Sequence, residues 1–283
     1  MKFPVKSIII TLTFFAVAAL LRFWIAPLVE QLPANYSNEV ILSEQDTFRD
    51  SPSSGWTTNT LVTRRVDQTI ANSGQVSIIE GALHVYYTSG EINFETTNLY
   101  GVDRKTRLNV TGFGDVNRTG QYLFPPHVKQ VQYSIWDPFF IGLRQATFER
   151  IEQVGGLQVY VFSFIGSGMD ETTGYGYLAD VPGQYQVHTD GQGTIWVEPL
   201  SGKVVDYKDS GVSYFVDPVS GVRVADFNKW DEGYTPETRT AQLNLARAAR
   251  RTILLTETWL PAGFLLAGLI WLAVGFWKRK QNA

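Results

Sequence analysis

The chain has 283 residues, 44% hydrophobic, 13% aromatic and 18% charged, which is enough apolar content for a large packed core and too much for a disordered polymer. It contains no cysteine, so disulfide frameworks, thiolate metal sites and cysteine nucleophiles are excluded. Of its 24 basic residues, Lys2, Lys6, Lys278, Arg279 and Lys280 lie in two short tails without acids; the other 19 face 27 acidic residues, a net of −8 that argues against a nucleic-acid partner.

Residues 1–6 form a basic tip. Residues 7–29, SIIITLTFFAVAALLRFWIAPLV, are an apolar run long enough to cross a hydrocarbon core that takes roughly 20 helical residues. Arg22, near its outer end, reads as an anchor that lifts its guanidinium to the headgroups. The two lysines before the run and AVA at 16–18 also suit a signal peptide, but cleavage there would leave ALLRFW at the new end, so an uncleaved span is expected.

Residues 30–234 change to period two. LHVYYT at 83–88, VQYSIW at 131–136, QYQVHT at 184–189 and TIWVE at 194–198 alternate as half-buried strands do, and LQVYVFSFI at 157–165 is apolar on both faces, as in a central strand. Turns are expected at TSGE, at EQVGGL and at TDGQGT, where Asp190 and Gly191 would take the positive φ of a tight hairpin. The pattern predicts a mainly β domain of short strands, an antiparallel meander folded as a sandwich or a barrel-like form.

One motif occurs twice, Glu198-Pro199-Leu200-Ser201-Gly202 and Asp217-Pro218-Val219-Ser220-Gly221, and Asp103-Arg104-Lys105-Thr106-Arg107 is a relative without proline or glycine. The acid can accept backbone N–H bonds, proline presets φ and glycine gives a left-handed exit, so each reads as a hairpin corner. Glu198 and Asp217 would serve acid–base chemistry only if the fold brought them together.

From 235 to 258 a helical stalk is expected: Thr235 suits an N-cap, Pro236 the first helical position, and the run to Thr258 has no glycine. It leads into a second span, WLPAGFLLAGLIWLAVGFW at 259–277, framed by Trp259 and Trp277 and followed by the tail 278–283. Pro261 should kink the helix or start a new one, and Gly263 and Ala267, one turn apart, offer a place for another helix to approach. Basic residues at both tips place both termini in the cytoplasm and the β domain outside the plasma membrane, with Arg247, Arg250 and Arg251 as a collar for lipid headgroups.

No catalytic, cofactor-binding or metal-ligating residue is assigned, no cofactor is expected, and the chain reads as a non-enzyme. GYGYLA at 174–179 fits GxGxxA only formally, since no strand precedes it and no helix follows. His84, His127 and His188 lack ligand spacings, Ser167 has no recognisable base, and Asp170, Glu171 and Asp180 match no calcium loop. Asn35, Asn109 and Asn117 head NxS/T triplets.

The ordered set RFWIAPLVEQLPANYS, VDRKT, YLFPPHVKQVQYSIWDPFF, VGGLQVYVFSF and WVEPLSGKVVDY resembles the prokaryotic family of PorA-type porins, a domain of unknown function found largely in actinobacteria and their relatives. The resemblance covers nearly the whole chain and implies a porin-like channel subunit, which two helices could form only by homo-oligomerisation. The family usually has glycine after its DRxT, where this sequence has Arg107. The architecture itself points elsewhere: a cell-envelope protein whose outer domain binds or transfers a lipid or cell-wall ligand, with the bilayer as partner. An extracytoplasmic hydrolase using Glu198 or Asp217 is the further alternative.

Overall fold

A computed structural model of the chain describes residues 5–137, 142–172 and 183–281. It divides into two bodies: one built from the start of the chain to Gln31 and from Arg247 onward, the other from Leu32–Ala246.

Among the described residues, the second body is built on one sheet of eleven antiparallel strands. In chain order they are β1 (Ser37–Phe48), β2 (Thr57–Ser73), β3 (Val76–Tyr87), β4 (Ile92–Asp103), β5 (Asn109–Gly114), β6 (Tyr133–Asp137), β7 (Gly142–Val154), β8 (Leu157–Asp170), β9 (Gln186–Glu198), β10 (Lys203–Val216) and β11 (Arg223–Tyr234). Their order across the sheet is β5-β4-β3-β2-β1-β11-β10-β9-β8-β7-β6, a meander on each side of a β1–β11 junction. The two outer strands do not end as free edges. Asn109 donates its N–H to Gly120 O (2.9 Å), Gln121 N–H reaches Ser134 O (2.7 Å) and Trp136 N–H reaches Gln121 O (2.9 Å), so the strip 120–122 links β5 to β6. The barrel-like alternative is the one adopted, and the linked edges satisfy backbone groups that an open sheet would leave unpaired.

The strands are longer than expected, β2 reaching 17 residues. The turn expected at Asp190-Gly191 is absent: QVHT, the end of QYQVHT, and TIWVE belong to one strand, β9, which pairs with β10 in one register from Gln186 to Trp196. Gly193 is there for room, since a Cβ would collide with the Phe164 ring. The other two turns are as expected, with Gly90 at φ 89° after β3 and Gly155 and Gly156 at φ 56° and 80° after β7. Inward residues form an aromatic and aliphatic core around Leu42, Phe124, Phe162, Ile195 and Val197, with Phe124 and Phe162 ring centroids 4.7 Å apart.

The three corners share one geometry. The N–H of Arg107, Gly202 and Gly221 each returns to the carbonyl four residues back, on Asp103, Glu198 and Asp217 (2.8, 2.9 and 2.8 Å), with φ of 60°, 71° and 68°. In each, the acid accepts backbone N–H groups two and three residues on. Arg107 therefore takes the left-handed conformation of a glycine, and its Nη1 donates to Phe124 O (2.8 Å) and Ser201 O (2.7 Å), tying this corner to the β9–β10 corner.

Helix α3 (Pro236–Leu254) starts as expected, Thr235 Oγ1 accepting the Thr238 N–H (3.2 Å). Its first part lies against the sheet: Gln242 Nε2 donates to Asn38 Oδ1 (3.0 Å), and Leu243 and Ala246 pack with Val154, Val159 and Val205.

The other body is helical. α1 (Val5–Leu20), a π-helical stretch at Leu21–Ile25 and α2 (Ala26–Val29) form one apolar rod; α3 continues through a second π stretch, Leu255–Trp259, into α4 (Leu260–Gln281). Each rod contains a stretch long and apolar enough to cross a membrane, with a mean hydropathy of 2.3 in the first and 1.9 in the second over 18 residues. Each π stretch ends two residues before a proline, Pro27 or Pro261. A proline lacks an N–H and crowds the carbonyl four residues back, here Phe23 or Glu257, and the wider turn absorbs both defects without a break. Arg22 and Glu257, one on each stretch, form an ion pair at 3.0 Å, so Arg22 is not a lone anchor. The close helix approach falls on Gly268 and Gly275, where a Cβ would meet Phe15 and Ser7, and Thr11 Oγ1 donates to Gly268 O (3.1 Å); Gly263 faces open space.

Candidate functional site

Period two on β2 turns Leu61, Thr63, Arg65 and Asp67 to the inner face. Across the β1–β2 ladder Arg65 lies opposite Val40 and Asp67 opposite Asn38. Arg65 grips Asp67 with both arms, Nε to Oδ2 at 3.0 Å and Nη2 to Oδ1 at 2.7 Å. The Tyr100 hydroxyl, from β4, donates to Asp67 Oδ1 (2.6 Å) and accepts from Arg65 Nη2 (3.0 Å). A side chain at Gly81 would press on both Asp67 and Tyr100, 2.8 Å away, so glycine makes the room. Burial, then the Asp67 charge, pushes the Tyr100 and Tyr36 hydroxyls well above the ordinary phenol range, so both stay neutral and Tyr100 keeps the proton it donates to Asp67.

Arg118, from the segment between β5 and β6, lays its guanidinium 3.9 Å over the Tyr100 ring and 5.7 Å from that of Trp136. Burial lowers its pKa, and burial with the Arg107 charge does the same to Lys203 at the start of β10. These groups border a cavity of about 110 Å³ between the inner face of the sheet, the 118–124 segment and α3, which contributes Gln242. The rest of its wall is aliphatic and aromatic, including Val40, Phe124, Ile135, Ile195 and Val204. A charged, hydrogen-bonding region and an apolar region thus share one small, partly open cavity, a form suited to binding a small or chain-like amphiphile.

Lys203 and Tyr36 lie within the quoted runs WVEPLSGKVVDY and RFWIAPLVEQLPANYS, but nothing in those runs marks them as cavity residues, and Arg65, Asp67, Tyr100 and Arg118 fall in none of the quoted runs. The available signal was TRRVD at 63–67, where a period-two strand sets Arg65 and Asp67 on the same face as Leu61.

The residues weighed from sequence lie elsewhere. Glu198 and Asp217 sit at opposite ends of β10, roughly 40 Å apart at strand rise, so they form no acid–base pair. Glu198 is fully buried and accepts from Ser201 N–H and Oγ, both at 2.7 Å. Asp217 is half-buried at the turn, and the Ser220 and Val219 N–H groups hold it below the usual carboxylate range. His84 Nδ1 lies 3.4 Å from Glu95, His188 is on β9 beside Tyr214, and His127 holds φ 56° in the 122–130 segment. Ser167 donates to Asp190 (3.1 Å), Asp170 accepts from Thr172, and Glu171 pairs with Arg144 at 3.3 Å. GYGYLA and Asp180 lie outside the described residues.

The sequence profile of the family described as Porin PorA matches residues 3–277. No curated protein matches the chain. Among solved structures, the LolA superfamily protein NE2245 from Nitrosomonas europaea is similar over 80% of this chain and 91% of its own, at 12% identity and a TM-score of 0.19. A MaoC domain protein from Chloroflexus aurantiacus J-10-fl is similar over 83% and 92%, at 10% identity and a TM-score of 0.16.

Proposed function

This chain belongs to the Porin PorA family, and from that premise we propose that it is a membrane-anchored cell-envelope protein whose β body binds or passes on a lipid or other envelope component without catalysing a reaction. The observation that carries this reading is the cavity inside the linked sheet, apolar over much of its wall and polar over the remainder, where Arg65, Arg118 and Lys203 stand with the single acid Asp67. The two apolar rods anchor the chain, both termini are cytoplasmic and the β body faces the outside, as the basic tips favour. Extraction of the full-length protein in mild detergent and mass spectrometry of co-purified lipids tests it. A stoichiometric lipid is expected; a preparation that neither carries nor takes up any lipid overturns the reading.

The family's name favours a second reading, an oligomeric pore. The sheet is a poor wall for one in lipid: its outward residues on β1 include Glu39, Ser43 and Gln45, all exposed or half-buried, whereas a membrane barrel turns an apolar band outward. A pore would have to be built from the helices of several copies. Conductance across a planar bilayer, lost when α4 is replaced by an unrelated apolar helix, supports that reading; silence at high protein load removes it.

A further inference from the structure

Arg118 is only 7% exposed and borders the cavity, and its Nε has no hydrogen-bond partner. Among the described residues it has no carboxylate of its own. Asp67, the acid of the cavity wall, is already held by both arms of Arg65 and by the Tyr100 hydroxyl. Lys203 borders the same cavity and is in no ion pair among the described residues. Among the described residues, three basic side chains and one acidic one therefore line the cavity, leaving two positive charges without a fixed counter-charge. Burying a cation is costly unless an anion or a set of acceptors meets it, and the Tyr100 ring offers only its π face.

Resting on the lipid-binding reading above, we infer that the cavity takes the head of a single-chain acidic amphiphile, its carboxylate or phosphate oxygens held by Arg118 and Lys203 and the start of its alkyl chain laid against Phe124, Ile135 and Ile195. A bound oxyanion supplies acceptors for the orphaned Nε and neutralises the surplus charge. The size supports one chain: about 110 Å³ is small beside the several hundred cubic ångströms of pockets for larger ligands. The apolar wall distinguishes this from a site for a bare anion, which would gain nothing from it.

The test is isothermal titration of the full-length chain in a neutral detergent with oleate, with oleyl alcohol as the neutral analogue of equal length, and with inorganic phosphate. Oleate is expected to bind at least about tenfold more tightly than oleyl alcohol, the scale of one or two charge-assisted hydrogen bonds. Arg118→Gln and Lys203→Met should each remove most of that advantage and leave oleyl alcohol unchanged. Lys203 is only half-buried, so its variant stays informative if Arg118→Gln fails to fold, which circular dichroism would reveal. Equal binding of the two amphiphiles, or an acid preference that survives both substitutions, overturns the inference while the broader lipid reading stands. Phosphate binding as tightly as oleate also overturns it, leaving a plain anion site. If all three probes fail while a lipid co-purifies, the inference alone falls; if no lipid co-purifies either, both fall.

Discussion

At the scale of single residues, Arg107 occupies a conformation that its β-carbon disfavours by about 1 kcal/mol, and its side chain offsets this by serving two carbonyls of other segments. Arg107→Gly would relax the corner yet leave Phe124 O and Ser201 O without their charged donor. A net loss of about 2 kcal/mol or more is expected, read as a lower thermal midpoint; an unchanged or raised midpoint would show that relaxing the left-handed φ outweighs the two lost hydrogen bonds. The two glycines of the repeated corner separate backbone strain from crowding. Gly221 has open space around it, so Gly221→Ala should cost about 1 kcal/mol. A Cβ on Gly202 would strike the Phe124 and Pro125 carbonyl oxygens, and Gly202→Ala should cost about 3 kcal/mol or more. Equal losses in the two variants, measured by denaturant titration, would contradict this packing. The corners were legible in the sequence because acid, proline and glycine act locally, and even Arg107 could be aligned with them by spacing. What it does at long range was not legible, since its acceptors are 17 and 94 residues away.

At the scale of elements, β1 and β11 set acids side by side: Glu44 lies opposite Glu232, which lies opposite Asp209 of β10. Burial, reinforced by Asp46, pushes Glu44 up to about 7, and burial pushes Asp46 up to about 6 against the pull of its Asn228 hydrogen bond. Both carboxyls hold their protons more tightly folded than unfolded, where an ordinary value is about 4. Their contribution to stability is therefore fully present below about pH 4 and is lost as pH rises through 6 and 7. Glu44→Gln should raise the thermal midpoint at pH 7.5 and flatten its dependence between pH 5 and 7.5; parallel profiles for the two proteins would refute this. These same strands explain what sequence patterning left out. Runs such as LHVYYT announce themselves by apolar alternation, whereas β1 and β2 place Asp46, Arg65 and Asp67 inward and so read as irregular. Asp-Gly usually bends a chain, yet Asp190-Gly191 runs straight through β9, and two residues on Gly193 makes room for the Phe164 ring; only the tertiary fold reveals which service a glycine performs. The cavity was hidden for a related reason: Arg65, Arg118 and Lys203 come from three separate segments and meet only when the strip 120–122 links the sheet's edges.

At the scale of the molecule, the apolar rods were plain from composition, because the length of a bilayer span is a one-dimensional constraint, while the face on which they meet, Gly268 and Gly275 against Phe15 and Ser7, depends on helix phase. The proposed orientation makes a direct prediction: protease added to intact spheroplasts should digest the β body and spare tags at both ends. Digestion of the tags with the middle intact would reverse the orientation. The sheet order has a further consequence. Because β1 and β11 are neighbours, with Leu42 opposite Tyr234, the first and last strands of the β body run side by side. A peptide tether from Ala246 back to Leu32, which keeps the part of α3 packed on Val154, Val159 and Val205, with new ends cut at the exposed Ser89-Gly90 tip, would give a circularly permuted β body free of the apolar rods that keeps every strand pairing of the original.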